Sequence, residues 1–256
     1  MDLNDISVVI PTFNEEPNLP RTLARLTWAP TVIIVDSRST DGTTVVAAQF
    51  PNTNLVQRDY VDQATKWNQG TDLAKTEWVL ALDADFVLQE GFEKELRELQ
   101  PDASVDAYHA SFAYCVNGRR LRGTLYPARA VLFRRSRCHF IQDGHTQLLV
   151  VPGATAHLST QIDHDDRKPL SRWFSSQDHC AKQEAEKLVK SNQKLRLQDR
   201  LRQGIIFAPA ATAAYCLVFK GLALDGWPGV FYTSQRVLAE LMLSLRLLER
   251  RLQPPT

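Results

Sequence analysis

The 256 residues contain neither a G-x-G-x-x-G turn after the first apolar run nor a G-x-x-x-x-G-K-[ST] loop. The two common backbone cradles for phosphate are therefore missing, and any bound diphosphate has to be held through a metal ion. Cysteine is scarce: Cys115, Cys138, Cys180 and Cys216 lie far apart and form no C-x-x-C pair. That spacing excludes a zinc ribbon or a compact disulfide framework and suits reduced cytosolic thiols. Neither sign of charge dominates, with 30 Lys and Arg against 29 Asp and Glu and a net charge of +1. A nucleic-acid partner, which leaves a basic footprint, is not expected. Long hydrophobic runs are also lacking: residues 205–219, broken by Pro209, would span about 22 Å as a helix against about 30 Å of hydrocarbon. The N-terminus, Met1-Asp2-Leu3-Asn4-Asp5, is acidic and polar, unlike a signal peptide, and the expected location is cytoplasmic.

What is present is an alternation of short β-branched runs with helical segments. Ile6-Ser7-Val8-Val9-Ile10 ends at Pro11, Thr31-Val32-Ile33-Ile34-Val35 stops at Asp36, Leu55-Val56-Gln57 is a short strand, and an apolar run from Trp78 closes the series. Asn18 or Glu16 can open the helix after the first strand, and Asp62 can cap one running through Leu73. This spacing predicts an α/β fold with a parallel, doubly wound sheet. Beyond about residue 104 the texture changes: residues 105–116 and 130–134 alternate like antiparallel strands, and residues 170–201 read as a long amphipathic helix.

Trp78-Val79-Leu80-Ala81-Leu82-Asp83-Ala84-Asp85 delivers two carboxylates where a buried strand ends. In open α/β sheets ligands bind outside the carboxyl ends of the strands, and hard divalent cations take one or two carboxylates plus substrate phosphates. Asp83 and Asp85 thus read as a metal–diphosphate clamp holding Mg²⁺ or Mn²⁺. Thr12 and Asn14 follow the first strand and Asp36 the second, so three strand ends are expected to share one crevice.

Ser7-Val8-Val9-Ile10-Pro11-Thr12-Phe13-Asn14-Glu15, then Val35-Asp36-Ser37-Arg38-Ser39-Thr40-Asp41-Gly42-Thr43, then Leu82-Asp83-Ala84-Asp85 resembles the ordered signature of family 2 glycosyltransferases with the GT-A fold. The remainder is similar, more loosely, to lipopolysaccharide-core β-glucosyltransferase-like proteins. The resemblance implies a GT-A, Rossmann-like, mostly parallel sheet flanked by helices, with a small antiparallel portion and C-terminal helices. It implies that Thr12, Phe13, Glu15 and Asp36 line the nucleotide pocket, that Lys66 and Asn68 border the nucleotide, and that Asp83 meets the diphosphate. His164 would complete the metal shell of Asp83 and Asp85, with His157 as the competing choice. An inverting transfer needs a base, for which Asp143 is the candidate and His145 the alternative; relatives usually show His-Glu where this chain has His145-Thr146. Arg134 and Arg135 are placed to contact phosphate or acceptor, or to face solvent.

The implied partners are a nucleotide-sugar donor, UDP-sugar first, and a glycan or lipid-linked glycan acceptor of the cell envelope. The expected division is a catalytic domain over residues 1–165, with a nucleotide-sugar half (1–100) and an acceptor half (101–165), and a helical region over 166–256. By resemblance that helical region makes a peripheral contact with the inner face of the cytoplasmic membrane, Trp227, Phe231 and Tyr232 lying near headgroup level and Arg236, Arg246, Arg250 and Arg251 facing anionic lipid. A sugar nucleotidyltransferase and an inactive nucleotide-sugar-binding or membrane-scaffold protein are the alternative functions.

Overall fold

The computed structural model of the chain describes residues 1–144, 146–190 and 207–252. It divides into two compact units: residues 1–118 with 126–168, and residues 119–125 with those from 169 onward.

The first unit is built on strands that are apolar along their whole length. β1 (Ile6–Thr12), β2 (Val32–Asp36) and β4 (Trp78–Ala81) are buried at almost every position, while β3 (Thr53–Gln57) is half-exposed. Continuous apolar runs are what a parallel sheet covered on both faces requires, and β1 indeed pairs in parallel with β2 and β4, and β2 with β3. The later strands are β5 (Phe86–Leu88), β6 (Val105–Ala110), β7 (Phe112–Val116) and, in the second unit, β8 (Arg119–Arg120). They are followed by β9 (Arg129–Arg134), β10 (His139–Asp143), β11 (Thr146–Val150), β12 (Ala154–His157) and β13 (Ile162–His164). The main sheet runs β12-β6-β9-β4-β1-β2-β3, with β9 antiparallel to both neighbours. A mostly parallel sheet with a small antiparallel part is the architecture expected. Residues 105–116, which alternate like one strand, are two: the chain changes sheet at Ser111, whose carbonyl accepts from Ile162 N–H at 3.0 Å, and β7 joins β13 rather than the main sheet.

Alternation along each strand sorts the core into two layers. Val8, Ile10, Ile34 and Leu80 face Leu19, Leu23 and Leu96 of helices α1 (Leu19–Ala24) and α4 (Phe92–Glu98). Helix α2 (Thr43–Ala48) adds Ala47 to this layer. Val9, Ile33, Val35 and Val79 face Ala64 and Trp67 of α3 (Gln63–Leu73), and Trp67 stacks on Phe140 at 5.3 Å. Each such aliphatic contributes about 1.5–3 kcal/mol by burial. Asp62 caps α3 as expected, accepting from Thr65 N–H at 2.6 Å. Asn18 stands at the N-cap of α1 without capping it; its amide donates instead to Glu15 and Asp166.

The second unit holds α5 (Leu170–Lys190), a helix over Phe207–Ala214 that widens into a π turn at Tyr215–Phe219, a 3-10 turn at Leu222–Asp225, and a long helix Trp227–Leu252. The expected extension of α5 to residue 201 lies outside the described residues. Ala185 and Leu188 of α5 pack on Leu243 and Leu247. No helix among the described residues is long and apolar enough to cross a membrane. Tyr232 departs from expectation: it is 1% exposed, and its hydroxyl accepts from Leu125 N–H at 2.9 Å, so it anchors residues 119–125 rather than meeting headgroups. Arg246 is paired with Asp178 and Glu249, and Arg250 with Glu186, so both face acids of their own unit.

Gly70 sets how closely α3 lies on the sheet, since a Cβ there would stand 2.4 Å from Val9 Cγ1 and 3.1 Å from Val35 Cγ2. Gly→Ala inside a helix ordinarily stabilises by about 0.4–1 kcal/mol. Here overpacking reverses the sign: Gly70→Ala is expected to lower stability by about 1–3 kcal/mol in urea unfolding.

Candidate functional site

The carboxyl ends of β1, β2 and β4 form the site. At the first two, Asp36 is fully buried, and both its oxygens are engaged. Oδ1 accepts from the hydroxyls of Thr12, at 2.9 Å, and Ser39. Oδ2 accepts from Ser39 N–H at 2.9 Å and Gln57 Nε2 at 3.3 Å. A carboxylate has about four lone-pair positions, so the longest bond, from Gln57, is the one a ligand can replace most easily. The loop after β1 is tied to the loop after β2: Asn14 N–H donates to Ser39 Oγ and Glu15 N–H to Thr43 Oγ1, each at 2.8 Å. Asn14 and Arg38, at φ 54° and 59°, take the left-handed conformations these turns need.

Lys66 comes up from α3 and donates from Nζ to the carbonyl of Thr12 at 2.8 Å. Burial lowers its pKa to about 8 even though Asp36, Glu15 and Asp83 all act to raise it. One ammonium therefore senses carboxylates from all three strand ends.

Beyond β4, Leu82 N–H donates to Val9 O at 3.0 Å and Thr22 Oγ1 to Ala84 O at 2.7 Å, fixing the backbone on either side of Asp83. Asp85 is buried, and its Oδ2 lies 3.2 Å from His164 Nε2. Burial alone would raise its pKa, but His164 and then Lys168 outweigh burial and bring it down to about 2. His164 is raised in turn, Asp85 and Asp83 overcoming the effect of burial. Its ring sits among Phe86, Tyr114 and Tyr126, with centroids 4.6–5.3 Å away. Asp83 is 36% exposed at its side chain and points to Arg129, 3.8 Å away, which lies over the Tyr126 ring at 4.6 Å. Desolvation and the Asp85 charge push Asp83 upward. Glu15, bonded to Lys168 Nζ at 2.7 Å and Asn18 Nδ2 at 2.9 Å, is raised to about 7 by burial, against the pull of Lys168 and with the push of Asp85.

This donor set suits a hard divalent cation. The Asp85 charge bears on Asp83 across one residue, and His164 Nδ1 is buried with no hydrogen-bond partner. Among the described residues no group of three or more His, Cys, Asp or Glu side chains closes a metal site by itself. Mg²⁺ ordinarily takes one or two carboxylates and completes its shell with water and substrate phosphate.

Thr12, Glu15, Asp36, Lys66, Asp83, Asp85 and His164 are thus brought together. Phe13 stands at the same rim, 42% exposed. Asn68 has both ends of its amide on the backbone of Phe140, donating at 2.8 Å and accepting at 2.9 Å, so it staples α3 to β10. Asp143 ends β10 at the tip of a hairpin, opposite Thr146; His145 lies outside the described residues. His157 is away on β12, its ring 5.4 Å from His109. Arg134 pairs with Glu77 and covers Trp78 at 4.5 Å, while Arg135 donates to Thr76 O; both serve the amino end of β4, opposite the site. Ser39, Gln57, Tyr126, Arg129 and Lys168 were not foreseen. Ser39 lies within the Val35-to-Thr43 motif and Gln57 at the end of the short strand beside Asp36, whereas Tyr126, Arg129 and Lys168 reach the crevice from distant segments and leave no local signal.

Residues 7–161 match the model of glycosyl transferase family 2. Undecaprenyl-phosphate 4-deoxy-4-formamido-L-arabinose transferase of Aeromonas hydrophila subsp. hydrophila is 38% identical over 98 residues, a match covering 33% of this chain and 30% of that protein. Among solved structures, S. aureus TarS 1-349 in complex with UDP-GlcNAc is similar with a TM-score of 0.52 and 14% identity, over 96% of this chain and 91% of that one. The same protein in complex with UDP gives 0.50 at 14% identity, over 98% and 93%. At these identities the likeness shows a shared fold.

The pKa of Lys66 gives the site a stability signature. The folded value of about 8 lies below the ordinary 10.5, so between these pH values the unfolded chain binds more protons and stability gains as pH rises. Relative to Lys66→Met, the wild-type chain is expected to gain up to about 3 kcal/mol between pH 8 and 10.5 in urea unfolding.

Proposed function

Because the chain belongs to glycosyl transferase family 2 and is a glycosyltransferase, we propose that it is an inverting, metal-dependent hexosyltransferase. Its donor is a nucleotide diphosphate sugar, UDP-sugar first, and its acceptor a hydroxyl of a glycan or lipid-linked glycan of the cell envelope. The observation that carries this reading is that the parallel strands β1, β2 and β4 end side by side, with Thr12 bonded to both Asp36 and Lys66, and with Asp83 and Asp85 following β4, which supports a nucleotide pocket next to a diphosphate clamp. The UDP and UDP-GlcNAc complexes of TarS support the donor class, and the undecaprenyl-phosphate transferase supports a lipid-linked acceptor.

In this reading the base packs against Phe13 and Thr12, and its imide N–H takes the place of Gln57 on Asp36. Mg²⁺ or Mn²⁺ held by Asp83 and Asp85, with His164 as a third donor, supplies Lewis-acid stabilisation of the diphosphate. Arg129 and Lys168 keep the carboxylates from repelling the donor outright. Asp143 accepts the proton of the acceptor hydroxyl as its oxygen bonds to the anomeric carbon. The bond from that carbon to the phosphate oxygen breaks, and the nucleoside diphosphate leaves with the electron pair. The product then has the opposite anomeric configuration.

Asp85→Asn is expected to lower transfer by about 10²–10³-fold, and Asp143→Asn by about 10²–10⁴-fold with donor KM little changed. Both are read in a radiolabelled-donor assay. Full activity in Asp85→Asn with unchanged metal dependence overturns the clamp. Donor binding without turnover across a broad acceptor panel favours a nucleotide-sugar-binding scaffold instead.

A further inference from the structure

In the second unit, the turn between the helix Phe207–Ala214 and the helix Trp227–Leu252 presents Val218, Phe219, Leu224 and Trp227, each between 72% and 85% exposed. Four large apolar side chains inside ten residues, all facing water, are out of keeping with a solvated turn.

The turn is held rigidly. Leu222 is fully buried beneath it, and Gly221 and Gly226 adopt φ 69° and 62°, conformations that side-chain-bearing residues rarely take. A Cβ at Gly229 would stand 1.9 Å from the carbonyl of Leu222, so the helix start and the 3-10 turn touch backbone to backbone. Residues 119–125 brace it further: Arg122 N–H donates to Asp225 Oδ2 at 2.9 Å, and the Arg122 guanidinium pairs with the same carboxylate at 3.2 Å.

The charge around this apolar tip is one-sided. Residues 119–125 and 215–236 contain Arg119, Arg120, Arg122, Lys220 and Arg236 against the single acid Asp225. That acid is 11% exposed at its side chain and already neutralised. These two segments thus hold five basic residues against one acid, a net +4, where the chain as a whole carries only +1. An aromatic and aliphatic wedge in a basic setting matches the interface of a bilayer whose headgroups are anionic. We propose that residues 218–227 form a membrane-contact wedge that inserts into the headgroup region of an anionic lipid surface, with Phe219 and Trp227 as its anchors. The inference rests on the second unit alone and stands whatever the donor or acceptor proves to be.

The test is co-sedimentation of the full chain with phosphatidylcholine vesicles, with and without phosphatidylglycerol. The expected result is pelleting with the anionic vesicles, weakened by salt, and a drop of about tenfold or more in the double variant Phe219→Ala/Trp227→Ala. Leu241→Ser, a change at an exposed leucine elsewhere on the long helix, should pellet like wild type. If the double variant does not fold, Trp227→Phe replaces it: quenching of tryptophan fluorescence by brominated lipid should fall in that variant. Wild type remaining in the supernatant, Phe219→Ala/Trp227→Ala pelleting like wild type, Trp227→Phe being quenched like wild type, or a vesicle-free dimer that dissociates in Phe219→Ala/Trp227→Ala would each overturn the proposal. The last outcome would assign the tip to a second copy of the chain.

Discussion

Glu15, Asp36, Asp83 and Asp85 crowd the carboxyl ends of β1, β2 and β4; at Glu15 and Asp83 burial disfavours the charged form, and the Asp85 charge adds to the cost. Each is matched differently. Asp36 is satisfied by neutral donors and Asp85 by His164, while Glu15 and Asp83 lean on Lys168 and Arg129. Removing one partner from such a set leaves a buried charge uncompensated, which costs far more than the pair contributes when intact. Lys66 holds the arrangement to the sheet through the Thr12 carbonyl. The result is a crevice with surplus negative charge at Asp83 and compensated charge elsewhere, suited to a ligand that arrives with its own cation.

The sheet makes this crowding possible. Leu80, Val9 and Ile34 are buried on both sides, so the strands cannot shift register without moving apolar side chains into the wrong layer. Their ends are therefore fixed relative to one another. The β5–β13 pair extends that rigidity, since His164 lies opposite Phe86, one residue beyond Asp85. Asp165 continues the frame, its N–H donating to Asp85 O at 3.0 Å and its carboxylate accepting from Arg21, Arg167 and Gly118. Residues distant in sequence thus hold Asp85 through main-chain bonds.

Much of this was legible in the chain. The β-branched runs ending at Thr12 and Asp36 read correctly as buried parallel strands because both faces are covered, and Asp62 read as a cap because a short acid before a helix has few other uses. The sheet change at Ser111 was not legible, being set by Ile162 some fifty residues later. The same reason hid Arg129 and Lys168, since a lone basic residue carries no local sign of which carboxylate it will meet. Asn68 shows the opposite case: its motif resembled a nucleotide border, and its amide is spent on the backbone of Phe140. The resemblance placed Tyr232 at an interface, and its hydroxyl ties it into the interior. Exposure, which the sequence does not report, separates Phe219 and Trp227, both turned to solvent, from the buried Tyr232.

The central claim, that Asp83 and Asp85 grip a nucleoside diphosphate through a divalent cation, is tested most directly by titrating UDP calorimetrically into the protein with and without Mn²⁺. The expected result is affinity at least about tenfold higher with Mn²⁺, a gain of about 1.4 kcal/mol or more, that disappears in Asp83→Asn. Equal UDP affinity with and without Mn²⁺, or a Mn²⁺ gain that survives in Asp83→Asn, would contradict it.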